Sequence, residues 1–263
     1  MKSSLRAAAL FLFLFTSIAS ASEFSRTEVK TFNISRGGKV SVENVNGTIR
    51  VESWNSDQVS LQITKTVRAG DSEDAEEYFG KVWVEIETGS NYVKVRTHYS
   101  HEDGWGILDW IFHGGSGRAN IDYVLKVPSS VKVDAGTTNG NVDVHDVSGY
   151  VKVSSTNGHL SLEGVGGFVE GSTTNGGITA SLSSSNKFEE LRLHTTNGSI
   201  KVYFPEEINA DIHAHTTNGS IRSEFPITVE GGFLSKSIDG KINDGGNEID
   251  LSTTNGSIEL NKK

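Results

Sequence analysis

The sequence predicts an all-β protein wound as a β-solenoid, a parallel β-helix-like stack of about seven two-strand coils. Three observations carry this prediction. A phrase of the form Thr/Ser-x-Asn/Asp-Gly-x-Ile/Val/Leu, first complete at Thr137-Thr138-Asn139-Gly140-Asn141-Val142, returns at Asn157, Asn175, Asn197, Asn218 and Asn255, with a worn copy at Asp239. The steps between these seven positions are 18, 18, 22, 21, 21 and 16 residues, a period suited to one coil. Between the phrases apolar and polar residues alternate, as in Val142-Asp143-Val144 and Val151-Lys152-Val153, which places the valines on one face of each strand.

Taken in order, the chain opens with a short basic region ending at Arg6 and an apolar run from Ala7 to Phe15, followed by Ala19-Ser20-Ala21. Small residues three before and one before a cut after Ala21 are the pattern of a cleaved secretory leader. The expected domains are therefore a leader over 1–21 and one solenoid domain over 22–263. No later run reaches membrane-spanning length, so no span is expected once the leader is gone. Export to the periplasm or the cell exterior follows as an expectation. The chain has no cysteine, which excludes disulfides, thiolate metal sites and a cysteine nucleophile. Its net charge of −9 becomes −11 without the leader, 22 basic against 33 acidic side chains, and argues against nucleic acid as a partner.

Residues 22–130 are read as N-terminal strands with two insertions. Val40 and Val42 alternate with polar neighbours, and Asn46-Gly47-Thr48-Ile49 is an early copy of the phrase, 93 residues ahead of Asn139. Asp71 or Ser72 can cap a short helix that crowds acids into its first turn and ends at Gly80. Its Ala75, Tyr78 and Phe79 share a face and are expected to cover an open end of the stack. Val82–Ile86 and Tyr92–Arg96, joined through Gly89-Ser90-Asn91, read as a hairpin. A Gly-rich segment from His101 to Gly117 carries Trp105, Leu108, Trp110, Ile111 and Phe112, and strand character resumes at Asn120–Pro128.

Residues 131–263 are the repeats proper. Each is expected to hold two strands and two turns, with Val142, Val144, Val151 and Val153 inside. Asn and Gly tolerate positive φ and suit a turn. Coils stacked in register would bring the asparagines about 4.8 Å apart, close enough for a ladder of side-chain amides through Asn139, Asn157, Asn175, Asn197, Asn218, Asp239 and Asn255. The rival is an antiparallel meander in which each Asn-Gly is a hairpin turn.

These repeats, the leader, the early Asn46-Gly47-Thr48-Ile49 copy and the Val127-Pro128 lead-in resemble the bacterial β-strand-repeat proteins called putative adhesins, over about Phe32 to Leu260. The resemblance implies a β-solenoid of the cell envelope and supplies no catalytic residues.

Three groups of residues stand out as candidate sites. His194 and His215 both lie three residues before an Asn and point outward with His213, so adjacent coils would bring them together for a metal or a proton-sensitive contact. No third ligand falls in place, and no metal or other cofactor is expected. The outward acids Asp143, Glu163 and Asp211 do not align as the groove of a polysaccharide-cleaving β-helix would require, and no Gly-x-Ser-x-Gly elbow is present. The aromatic residues Trp105, Leu108, Trp110, Ile111 and Phe112 would either cap one end of the stack or form a partner or self-association surface. The expectation is thus a non-enzymatic adhesin-like or structural module bound to an unknown envelope protein or glycan. A polysaccharide-acting enzyme and an envelope stress or ion sensor are the alternatives.

Overall fold

Strict alternation of apolar and polar residues is what makes the strands, and the computed structural model buries the alternating valines Val142, Val144, Val151 and Val153 to 1% exposure or less. It describes residues 23–100, 119–183, 188–229 and 236–263. In chain order β1 (Glu23–Asn33), β2 (Lys39–Glu43), β3 (Ile49–Trp54) and β4 (Gln58–Arg68) precede helix α1 (Ser72–Gly80). The strands β5 (Val82–Thr88), β6 (Tyr92–Tyr99) and β7 (Ala119–Pro128) follow it. The repeats comprise β8 (Lys132–Asn139), β9 (Val142–His145), β10 (Val151–Asn157), β11 (Leu160–Val165), β12 (Gly167–Asn175), β13 (Ile178–Leu182), β14 (Phe188–Asn197) and β15 (Ile200–Phe204). They end with β16 (Ala210–Asn218), β17 (Ile221–Ser223), β18 (Ile227–Val229), β19 (Ser237–Ile242), β20 (Asn247–Asn255) and β21 (Ile258–Lys262).

Among the described residues the strands form two mixed sheets. The first runs β1-β4-β7-β3-β9-β11-β13-β15-β21-β17, and the second runs β18-β19-β16-β20-β14-β12-β10-β8-β2-β6-β5. At each Asn-Gly the chain crosses from the second sheet to the first, as from β8 to β9 and from β10 to β11, and like strands stack in parallel. The pairing aligns Asn157 with Asn139 on one side and with Asn175 on the other. Parallel stacking rules out the hairpin reading of Asn-Gly, because a hairpin pairs consecutive strands antiparallel. The result is solenoid-like, with the core held between the two sheets.

Two features depart from a purely parallel stack. Antiparallel strands flank both ends: β1 and β4 beyond β7, β5 beyond β6, and β19 with β18 beyond β16. The stacking order also departs from the chain order, for β20 lies between β14 and β16 and pairs in parallel with both. Asp239, expected as a rung, instead sits on β19, antiparallel to β16 and opposite His213.

The helix forms where its cap requires. Asp71 accepts from the backbone N–H groups of Glu73 and Asp74 at 2.9 Å each, and Glu73 and Asp74 place negative charge at the positive end of the helix dipole. Ala75 and Phe79 are buried, Tyr78 is partly buried against the core, and the Arg26 guanidinium lies 4.3 Å from the centre of the Phe79 ring. Arg26 also pairs with Glu76. The helix thus packs beside β1, β4 and β5, the strands that end the stack. On edge strand β1, Arg26, Glu28 and Lys30 pair across to Lys65, Ile63 and Leu61 on the core-facing side of β4. Charges on the core side of an edge strand discourage pairing with a further chain.

Candidate functional site

The recurring Thr-Thr-Asn-Gly builds one corner of the molecule, and each of its positions has a separate task. Asn218 donates its Nδ2 to Asn255 Oδ1 at 2.9 Å, Asn255 to Asn197 at 2.8 Å, and Asn197 to Asn175 at 2.9 Å. The file continues from Asn175 to Asn157 at 2.8 Å, Asn157 to Asn139 at 2.7 Å, and Asn139 to Asn46 at 2.8 Å. Every amide points the same way along the stack. The backbone bonds beside them run in the opposite sense, as in Gly158 N–H to Asn175 C=O at 3.0 Å. Asp239 has no place in this file because β19 runs antiparallel to the coils and turns its residue away from the corner.

Glycine is required there for closeness of approach and not, in most copies, for positive φ. Gly158, Gly176, Gly198, Gly219 and Gly256 lie outside the left-handed region, and only Gly47 and Gly140 among the repeat glycines have φ of 124° and 155°. A Cβ on Gly198 would meet the carbonyl oxygen of Gly176 at 1.9 Å. The same carbonyl accepts the hydroxyl of Thr195, two residues before Asn197, at 2.8 Å. Thr173, Thr216 and Thr253 make the matching bond, and Ser155 replaces Thr in the copy that ends at Asn157. These hydroxyls are buried, whereas the Thr next to each Asn faces outward. The sequence signal for the buried position is its restriction to Thr or Ser two residues before each Asn from Asn139 to Asn255.

The histidines do not come together. With β20 inserted, His194 on β14 and His215 on β16 are both in register with Ser252, one strand away on either side. The expectation of adjacent coils fails because the strand next to His194 carries serine. His194 Nδ1 lies 2.7 Å from Ser252 Oγ, and His213 Nδ1 lies 2.9 Å from Asp239 Oδ1. That hydrogen bond, with the charge of Asp239, raises the His213 pKa above its ordinary 6.5. No group of three or more His, Cys, Asp or Glu able to hold a metal occurs among the described residues.

What the structure does assemble is the outer face of the second sheet. Register places Asp134, Lys152, Glu170, Arg192 and Asp250 in one row across β8, β10, β12, β14 and β20, so the sign of charge alternates at each of these strands, and His213 on β16 follows Asp250. Lys152 Nζ donates to Glu170 at 2.8 Å, which raises the lysine pKa, and Arg192 pairs with Glu190. The neighbouring row is Gly136, Ser154, Ser172, His194, Ser252 and His215. Small side chains beside long ones leave a groove of about 320 Å³, walled by Glu170, Arg192 and Asp250 and floored by Ser172, His194 and Ser252. Beside it Phe168 is 42% exposed and its ring lies 6.5 Å from that of Tyr150, whose hydroxyl donates to Glu170 at 3.3 Å. The Ser252–His194 pair has the first contact of a nucleophile and base. Backbone N–H groups on β20 are spent on parallel ladders at both sides, so they form no donor pair for a developing oxyanion.

Residues 101–117, with Trp105, Leu108, Trp110, Ile111 and Phe112, lie outside the described residues, as does the segment 1–21 that the sequence marks as an expected leader. Within the described residues no helix is long and apolar enough to cross a membrane.

Comparison with known proteins bears on the family. The family model described as Toastrack DUF4097 matches residues 19–261. Among curated proteins nothing matches. The solved structure of a putative cell adhesion protein from Clostridium sporogenes is similar to this chain with a TM-score of 0.51 at 13% identity, over 91% of this chain and 100% of that one. A putative adhesin from Bacteroides fragilis gives 0.31 at 12% identity, over 89% and 96%. A putative lipid binding protein from Parabacteroides distasonis gives 0.30 at 11%, over 90% and 96%. The first of these likenesses is one of fold.

Proposed function

The chain belongs to the Toastrack DUF4097 family, and on that premise we propose that it is an exported, non-enzymatic binding module of the bacterial cell envelope. Its contact surface is the outer face of the second sheet. The observation that carries this reading is the two ordered rows on that face, alternating charges beside small hydroxyls, with a groove between them. A single solenoid domain of stacked two-strand coils explains the order, since each coil supplies one member to each row. Stacking also makes the face rigid, because both edges of every inner strand are hydrogen-bonded. The leader ending at Ala21 supports export, and the adhesin-like fold relatives agree with a surface role.

Two measurements test the proposal. The full chain expressed in a Gram-negative host should lose its leader at Ala21, as read by intact mass, and should leave the cytoplasm. The exported protein should then be retained on isolated bacterial envelopes. Ser172→Tyr with Ser252→Tyr, which fill the groove, should abolish retention, while Ser161→Tyr with Thr179→Tyr on the other sheet's outer face should not. Equal losses from the two pairs, or no retention at all, overturn the reading. A hydrolytic alternative rests on the Ser252–His194 contact; release of reducing ends from a defined polysaccharide, abolished by Ser252→Ala, would replace the proposal.

A further inference from the structure

The binding-module reading leaves the chemistry of the ligand open, and the geometry of the groove points to an uncharged linear glycan. We propose that such a chain lies across β12, β14 and β20, along the stack, with Phe168 at its flank. The inference rests on the reading of this face as the contact surface.

Four observations converge. The groove offers donors and acceptors together: Ser172 and Ser252 hydroxyls, the Arg192 guanidinium, and the Glu170 and Asp250 carboxylates. Neighbouring ring hydroxyls of a sugar are donors and acceptors at once, and they match such a mixed set where a purely cationic or anionic ligand would meet groups of the wrong sign. The charges also alternate along their row and pair locally, Lys152 with Glu170 and Arg192 with Glu190, while the next row on the face carries the acids Glu190, Glu248 and Asp211 and repels a polyanion.

The Phe168 ring, 42% exposed and set against Tyr150, supplies an apolar plane beside the polar grid. The C–H face of a pyranose can stack on such a plane while its hydroxyls reach the groove. The direction matters as well. A chain lying along the stack meets one strand every ~4.8 Å, so a polymer of like units encounters a related polar group at each step. An extended peptide would instead seek a free strand edge for its backbone. Here β12, β14 and β20 are each hydrogen-bonded on both sides, so the face has none to give.

Titration calorimetry of the exported protein with cellohexaose and with chitohexaose tests this. At least one should bind, Phe168→Ala should weaken it about tenfold, and Ser172→Tyr should remove it. Thr179→Tyr on the opposite face should leave it unchanged. Phe168 is exposed, so its variant stays informative even if Ser172→Tyr perturbs folding. Absence of heat with both hexaoses overturns the inference, as does affinity unaltered in Phe168→Ala. Binding confined to polylysine or to heparin overturns it too, and reassigns the face to a polyion. Retention on envelopes that is lost when the envelopes are protease-treated would sink the glycan inference alone and leave the binding module standing.

Discussion

Asn255 donates its side-chain amide to Asn197 at 2.8 Å across 58 residues of sequence, although Asn218 stands between them in the chain. Asn218 in turn donates to Asn255 at 2.9 Å, so the last coil of the chain is the next-to-last coil of the stack.

That placement makes Asn255 an interior rung and Asn218 a terminal one. Asn255→Ala removes two side-chain bonds, one accepted and one donated, and is expected to cost about 1 kcal/mol. Asn218→Ala removes one and should cost less. Urea unfolding of both variants, with unchanged slopes, checks the ranking.

The glycine file should be far less tolerant than the asparagines. Gly198→Ala places a methyl carbon 1.9 Å from the carbonyl oxygen of Gly176, backbone against backbone, so the coils must separate. A loss of about 3 kcal/mol or more is expected. Gly80→Ala is the control: nothing lies within 4 Å of its added methyl, and it closes a helix where Ala is favoured over Gly. Its thermal midpoint should match or exceed that of the parent.

The two threonines of each phrase should behave differently. Thr195→Val deletes a buried hydroxyl that donates to Gly176 at 2.8 Å and should cost about 1–2 kcal/mol. Thr196→Val, on the outward side, should stay within about 0.5 kcal/mol. Paired denaturation curves decide between them, and equal effects would contradict the buried-hydroxyl role.

His213 and Asp239 give a pH-dependent contact. The hydrogen bond and charge of Asp239 raise the folded His213 pKa above 6.5, so its stabilisation is complete below 6.5 and fades as pH rises through the folded value. Both groups are more than half exposed, which limits the effect to a few tenths of a kcal/mol. Asp239→Asn should therefore lower the thermal midpoint slightly at pH 5.5 and not at pH 9. NMR titration of the His213 ring should show its pKa fall in the variant.

Much of the architecture was legible in the chain because it depends on near neighbours. Alternation alone identifies Val142, Val144, Val151 and Val153 as core, and Asp71 before an acidic first turn marks the start of α1. The groove was not legible. Glu170, Arg192 and Asp250 lie far apart in sequence, and only the stacking order makes them a wall. The expected meeting of His194 and His215 failed for the same reason, since each faces Ser252. The worn copy at Asp239 carried a hint in its lost Asn and in the short 16-residue step that follows it.

By itself the sequence determined that like two-strand units would repeat, which residues they would bury, and that each phrase would turn the chain. Only the tertiary structure decided the order in which they stack. Thr216-Thr217-Asn218-Gly219 and Thr253-Thr254-Asn255-Gly256 present the same groups to a neighbour, so local energies cannot rank one above the other. The hairpin of β18 and β19 breaks the tie. It pairs antiparallel with β16, and a strand has two edges, so β16 keeps one for β19 and one for β20 and stays at the outside of the stack.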